Sequence, residues 1–208
     1  GNWPGKVYTE EDWNPFQITV DEQALSHPIM AYVAGKLGAE RAAWDFVKEN
    51  KPHFTVTTLC PPNVFGPPEQ ELTSLKNLNK NNTNIYDVFN GTSEPRFTTW
   101  AWVDVRDLAQ AHVLAIEAPA AANQRYLVTA GNYSAQAIAD FIWKHYSERA
   151  TAKGVKRGNP GNLYPDTGVF KVDNSKSIRD LGLAYKYGFD AMLRDTLTKL
   201  EELEAEGK

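Results

Sequence analysis

The stretch Ile29-Met-Ala-Tyr-Val-Ala-Gly-Lys-Leu-Gly-Ala-Glu-Arg-Ala-Ala-Trp-Asp-Phe-Val-Lys-Glu-Asn50, followed after Lys51-Pro-His53 by Phe54-Thr-Val-Thr-Thr-Leu-Cys60, decides how this chain of 208 residues folds. Tyr32, Val33, Leu37, Ala43, Trp44, Phe46 and Val47 recur mostly three and four apart, the period of an α-helix. Pro52 stops that helix. Phe54–Cys60 is β-branched and apolar, which suits a buried parallel strand after a helix, and Pro61 and Pro62 end it in a loop. Ligands of α/β sheets bind at such strand ends. Within the helix, Tyr32 and Lys36 are four residues apart and share one face, so an ammonium can act on a phenol. The plain reading is a surface pair worth a few tenths of a kcal/mol. The chemical reading is proton transfer to a carbonyl oxygen beside a dinucleotide. Yet only 31 residues precede Tyr32, and no glycine-rich loop is among them.

Toward the N-terminus, residues 1–28 read as irregular. Trp3, Pro4, Pro15 and Pro28 interrupt any period, and only Lys6–Thr9 has strand character. Residues 67–95 are polar and Asn-rich, with helical patches at Leu72–Leu78 and Ile85–Phe89. Asp104 is placed to cap a helix from Val105 to about Glu117, and Ser134 one that runs to about Tyr146. Arg125-Tyr-Leu-Val-Thr129 is the second strand candidate. Gly154–Pro165 is a Gly/Pro-rich connection, followed by a short helix near Ser175–Leu181 and a charged one from Phe189 to about Glu204. The pattern is α/β, yet two strands are too few for a doubly wound sheet, which usually has about five or six. Either strands are hidden from this reading or residues outside the chain complete the sheet.

Composition narrows the function. A net charge of −4 carries no polyanion-binding signature, so nucleic acid is not an expected partner. The single Cys60 excludes an internal disulfide, suits a reducing compartment, and reads as a buried, inert thiol. No apolar run reaches the roughly 18 residues of a membrane span, so a soluble cytoplasmic protein is expected. His27, His53, His112 and His145 lack metal-ligand spacing, and no metal is expected; His112 follows the apolar face of its helix and reads as packed. Asp104 and Asp107 read as helix capping and surface placement. Phe97, Trp100 and Trp102 line either an apolar pocket or, more simply, the core. The cluster Gly154-Val-Lys-Arg-Gly-Asn-Pro-Gly161 has neither a strand before it nor a helix directly after it and is no phosphate loop. The absence of a Gly-x-Ser-x-Gly elbow argues against an α/β-hydrolase.

Five segments, in order, carry a resemblance: Glu10-Glu-Asp-Trp-Asn-Pro15; Tyr32-Val-Ala-Gly-Lys-Leu-Gly-Ala-Glu-Arg-Ala-Ala-Trp44; Pro61-Pro-Asn-Val-Phe-Gly-Pro67; Val103-Asp-Val-Arg-Asp-Leu-Ala-Gln-Ala-His112; and Arg125-Tyr-Leu-Val128. Together they resemble the C-terminal two-thirds of an extended short-chain dehydrogenase/reductase, in the group of dihydroflavonol reductases and fungal aldehyde (methylglyoxal) reductases. The resemblance implies an α/β chain that is the C-terminal part of a Rossmann-type fold with a substrate-binding α+β portion. Residues 1–66 would be the rest of the dinucleotide-binding domain and 67–208 mainly substrate-binding, with 97–131 returning in part to the nucleotide-binding sheet.

It further implies an NADP-dependent carbonyl reductase, NAD remaining possible, acting on a small aldehyde or ketone. Tyr32 matches the general acid that protonates the substrate oxygen, and Lys36 the lysine that bonds the nicotinamide ribose and favours the phenolate. Pro61 and Val64 match the loop packing the nicotinamide end, and Asn63 a position facing the substrate; a plain turn residue is an equal reading of Asn63. The departures are the family's Thr-Gly-x-x-Gly-x-x-Gly phosphate loop and its carbonyl-polarising serine, neither of which is in this sequence. The N-terminal half, as a separate polypeptide or a preceding segment, is therefore an expected partner, and residues 1–208 alone are expected to be inactive. Two other readings stay open: a nucleotide-sugar epimerase or dehydratase of the same superfamily, and a non-catalytic fragment or binding module.

Overall fold

The computed structural model describes residues 3–15, 27–95 and 100–208. Helix α1 spans Pro28–Asn50. A proline suits its first turn because that N–H has no helical partner anyway. Lys51, in the left-handed region, closes it by donating its N–H to the Val47 carbonyl. Of its 23 residues only Leu37 is buried.

Strand β2 is shorter than the expected Phe54–Cys60, covering only Thr58–Cys60. The residues before it bond to side chains and a loop instead of a ladder: Val56 N–H donates to Asn123 Oδ1 at 3.1 Å, and Thr57 Oγ1 to the Ala121 carbonyl at 2.6 Å. β2 pairs in parallel with β5 (Arg125–Leu127) in the register Thr58–Arg125, Leu59–Tyr126, Cys60–Leu127. β3 (Asn63–Phe65) pairs in parallel with β4 (Ala101–Asp104), which pairs antiparallel with β6 (Gly131–Asn132). β1 (Val7–Tyr8), inside the expected Lys6–Thr9, pairs in parallel with β7 (Lys171–Val172). Among the described residues seven strands of two to four residues thus stand where two clear strands and the brief Lys6–Thr9 segment were expected, and none of the added ones is long enough to show a period.

The helices follow the sequence signals more closely. α2 covers Lys80–Phe89, capped by Asn79 Oδ1 on the Asn82 N–H at 3.0 Å. A 3₁₀ turn at Leu75–Asn77 stands where the first helical patch was expected. α3 (Val105–Glu117) starts at Asp104, whose carboxylate takes the Arg106 N–H, and α4 (Ala135–His145) starts at Ser134. An unanticipated α5 (Ser147–Lys153) ends at Gly154 in the left-handed region, so the glycine cluster there begins as a helix stop. α6 (Ser175–Leu181) and α7 (Phe189–Ala205) complete the chain.

Two apolar cores result. The larger joins Phe65, Ile85, Phe89, Trp102, Ile138, Ile142, Leu197 and Leu200 from α2, α4, α7 and the β3–β4 pair. The smaller joins Val103, Ala111, Tyr126, Val128, Leu181 and Leu183 from β4, α3, β5, α6 and the residues that follow the last two. Around the larger core, Glu204 of α7 clamps α2 and α5. It accepts from Tyr86 Oη at 2.8 Å and from both Arg149 terminal nitrogens at 2.9 and 2.7 Å. The Arg149 guanidinium holds the Glu204 carboxyl below the usual carboxylate range. Its contribution is therefore present above the ordinary Glu range near ~4.3 and lost as pH falls through the lowered folded value. Glu204→Gln should cost about 1–3 kcal/mol at pH 7 and flatten the stability profile between about pH 5 and 3, read by urea unfolding.

Candidate active site

Tyr32 stands in the second turn of α1, 66% exposed, where two cavities meet. One, of about 780 Å³, lies between α1 and the β2–β5 pair and is lined by Tyr32, Lys36, Glu40, Cys60, Pro61, Val64 and Arg125. The other, of about 640 Å³, lies beyond β3 and is lined by Tyr32, Asn63, Phe65, Gly66, Asn81, Asn82 and Val105. All five residues singled out in the sequence therefore border one or both spaces.

The turn after β3 is held from α2. Asn81 Nδ2 donates to the Val64 carbonyl at 3.1 Å, and buried Asn82 donates from Nδ2 to the Gly66 carbonyl at 3.0 Å. Gly66 has φ +137°, and a Cβ there would come within 2.6 Å of Val105 Cγ1, so a side chain is excluded. Asn63 donates from Nδ2 to Tyr133 Oη at 2.6 Å. Burial pushes the Tyr133 phenol up to about 12, so it remains a neutral anchor through the physiological range. Phe65 packs edge-on against the same ring, 5.0 Å between centroids. Asn63 is thus oriented by a buried side chain.

The opposite wall is polar. Glu40, two turns after Tyr32, accepts Arg125 Nε at 2.8 Å, Arg125 Nη2 at 3.3 Å and Thr58 Oγ1 at 2.7 Å. Arg125 Nη1 donates to the backbone carbonyls of Glu10 at 2.8 Å and Asp12 at 3.0 Å, and its guanidinium lies over Trp13 at 4.4 Å. Burial pushes the Glu40 carboxyl up, but the bonds from Arg125 and Thr58 outweigh it and hold the group below its ordinary range. Cys60 Sγ is 3.6 Å from Glu40 Oε1, and burial raises the thiol to about 11.

Glu40, Arg125 and Tyr133 were not read as site residues from the sequence. Only Glu40 had a signal there, its four-residue step from Lys36. Two other expectations are corrected, and of the two readings of the aromatic residues near position 100 the core holds for Trp102. His112 is exposed, with Nδ1 on the Leu108 carbonyl, because the apolar stripe of α3 turns past it. Asp107 is fully buried, accepting from the Lys186 and Tyr187 N–H groups, and burial raises its carboxyl. Trp102 belongs to the larger core, and Trp100 packs on Tyr164; neither lines a space shared with Tyr32, and Phe97 lies outside the described residues.

A family model described as "NAD dependent epimerase/dehydratase family" matches residues 5–129. The chain belongs to that family. Its mixed α/β architecture with parallel strand pairs is that of a Rossmann-type short-chain dehydrogenase. It is 36% identical over 204 residues to the ketoreductase azaE of Aspergillus niger, covering 95% of this chain and 57% of that protein. It is 34% identical to a Candida albicans protein named for NADPH-dependent methylglyoxal reduction, covering 88% and 53%. Its backbone is similar to the crystal structure of the yeast methylglyoxal/isovaleraldehyde reductase Gre2 complexed with NADPH. The TM-score there is 0.83 at 28% identity, covering 98% of this chain and 59% of that one. The chain thus spans a little over half the length of these relatives.

The raised Cys60 thiol has a direct chemical readout. Alkylation of Cys60 by iodoacetamide at pH 8 should be about 100-fold slower in the folded protein than after unfolding, followed by mass spectrometry.

Proposed function

We propose that this chain carries the proton-transfer and substrate-side half of an NADPH-dependent carbonyl reductase acting on a small aldehyde or ketone. The observation that carries the reading is the position of Tyr32 at the junction of two cavities. One is bordered by Lys36, Pro61 and Val64, the other by Asn63. NADPH supplies the hydride when bound; Lys36, Pro61 and Val64 would hold its nicotinamide-ribose end in the cavity along α1. Tyr32 donates its phenolic proton to the carbonyl oxygen. Lys36, one turn further on, stabilises the phenolate that remains, because an adjacent cation favours the charged form. Asn63, anchored on Tyr133, presents its amide to the substrate in the second cavity.

The donor set fits that end of the cofactor and not its pyrophosphate. Among the described residues no glycine-rich turn leads from a strand into a helix, and we place the phosphate loop and the carbonyl-polarising serine on residues outside these 208. Residues 1–66 with part of 97–131 would extend the nucleotide-binding sheet, and 67–208 would form most of the substrate side; the larger core, drawn almost wholly from residues after 66, supports this division. Among the described residues no helix is long and apolar enough to cross a membrane, which supports a cytoplasmic enzyme. The names of the relatives favour reduction over the epimerase or dehydratase chemistry that the family also contains.

In the full-length gene product, Tyr32→Phe should lower kcat/KM for methylglyoxal or an aromatic aldehyde by about 10²- to 10⁴-fold while NADPH binding stays within a few-fold. Residues 1–208 purified alone should not oxidise NADPH with either compound. Turnover by them alone, or a fully active Tyr32→Phe enzyme, would overturn the proposal.

A further inference from the structure

Tyr32, Lys36 and Glu40 follow one another at four-residue steps, so α1 carries them on one stripe. A lysine and a glutamate at this spacing attract each other on a helix surface. Were they to pair, the carboxylate would cancel the charge that the proposed chemistry needs beside Tyr32. That pair does not form. Among the described residues Lys36 makes no ion pair, while both Glu40 oxygens are taken by Arg125.

We propose that Arg125 is a positioning residue that keeps Glu40 off Lys36 and so leaves the ammonium to act on Tyr32. The inference rests on the reading of Tyr32 and Lys36 given above. The fork is fixed on every side. Nε and Nη2 hold Glu40, Nη1 holds the Glu10 and Asp12 carbonyls, and the flat face lies on Trp13. Thr58 binds the same Glu40 oxygen from β2. A planar, permanently charged guanidinium suits this task better than an ammonium, which offers no fork.

The other charged groups nearby are engaged elsewhere or turned away. Glu10 accepts the Leu127 N–H through Oε1, Asp12 pairs with Lys6, and Arg41 stands over Trp13. Cys60 faces Glu40 from β2 as a neutral thiol. Glu69 and Lys80 border the cavity on the far side of Tyr32. Without Arg125, Glu40 would retain Thr58, Trp44 and Cys60 as partners but no cation, and Lys36 is the next cation along its stripe.

The consequence has a sign. Alcohol oxidation, the reverse reaction, needs the Tyr32 phenolate as proton acceptor, so its rate rises with pH. A carboxylate on Lys36 makes that phenolate harder to form and moves the rise to higher pH. In the full-length gene product with NADP and an alcohol, Arg125→Gln should move the midpoint of the pH–rate curve upward by about one unit. The double variant Arg125→Gln with Glu40→Gln should return it to the wild-type position. A purely structural role for Arg125 would lower stability and rate in both variants without moving and restoring the midpoint. An unmoved midpoint in Arg125→Gln overturns the proposal, and so does an equal shift in single and double variants, which would make the field of Arg125 itself the cause. Should Arg125→Gln not fold, Arg125→Lys replaces it, with a smaller upward shift expected and again reversed by Glu40→Gln; an unmoved midpoint there also overturns it. Tyr32→Phe separates the two levels. If it remains active, the reading of the site falls; if it is inactive and the midpoint in Arg125→Gln is unmoved, only the role of Arg125 falls.

Discussion

A carboxylate set against a sheet must be compensated, and Glu40 takes its opposite charge from Arg125. Taking such a group out of water costs several kcal/mol, which only close, well-aligned partners offset. Arg125 provides them from β5, and Thr58 adds one from β2, so helix α1, both strands of the parallel pair and the segment around Glu10–Trp13 converge on the Glu40–Arg125 pair. Each of these elements is short or poorly buried by itself. β2 and β5 have three residues each, and α1 buries one side chain. Polar attachment here does what apolar packing does in the rest of the molecule.

That contrast divides the site. On the side of Asn63, the walls are fixed by the larger core: Tyr133 and Phe65 are buried in it, and Asn81 and Asn82 of α2 grip the backbone at Val64 and Gly66. On the side of Lys36, the walls are held by the Glu40–Arg125 pair.

Much of this was legible in the sequence, for physical reasons that differ by element. α3 and α6 have the bounds expected of them because Asp104 caps the first and Gly182 ends the second in the left-handed region, signals local to a few residues. Two strands at Phe54–Cys60 and Arg125–Thr129 were readable, the first from its β-branched residues, but their pairing was not. β3, β4 and β6 were not, because strands of two to four residues give no period and are set by partners distant in sequence. Tyr32, Lys36, Pro61, Asn63 and Val64 could be chosen from spacing and resemblance. Arg125 could not, since its meaning lies in reaching a helix 85 residues away. Asp107 misled for the opposite reason: its position on α3 looked like surface, but the loop at Lys186–Tyr187 closes over it.

The attachment of α1 also has a mechanical side. Glu40 is eight residues beyond Tyr32, which at a rise of about 1.5 Å per residue places the phenol roughly 12 Å along the axis from the anchor. The helix is then a cantilever clamped near its middle, with Leu37 as the one fully buried side chain between clamp and tip among the described residues. A tilt of about 5° at the clamp would swing the tip by roughly 1 Å, a displacement large enough to matter for proton transfer. The stiffness of one ion pair thus sets the aim of a group it never touches.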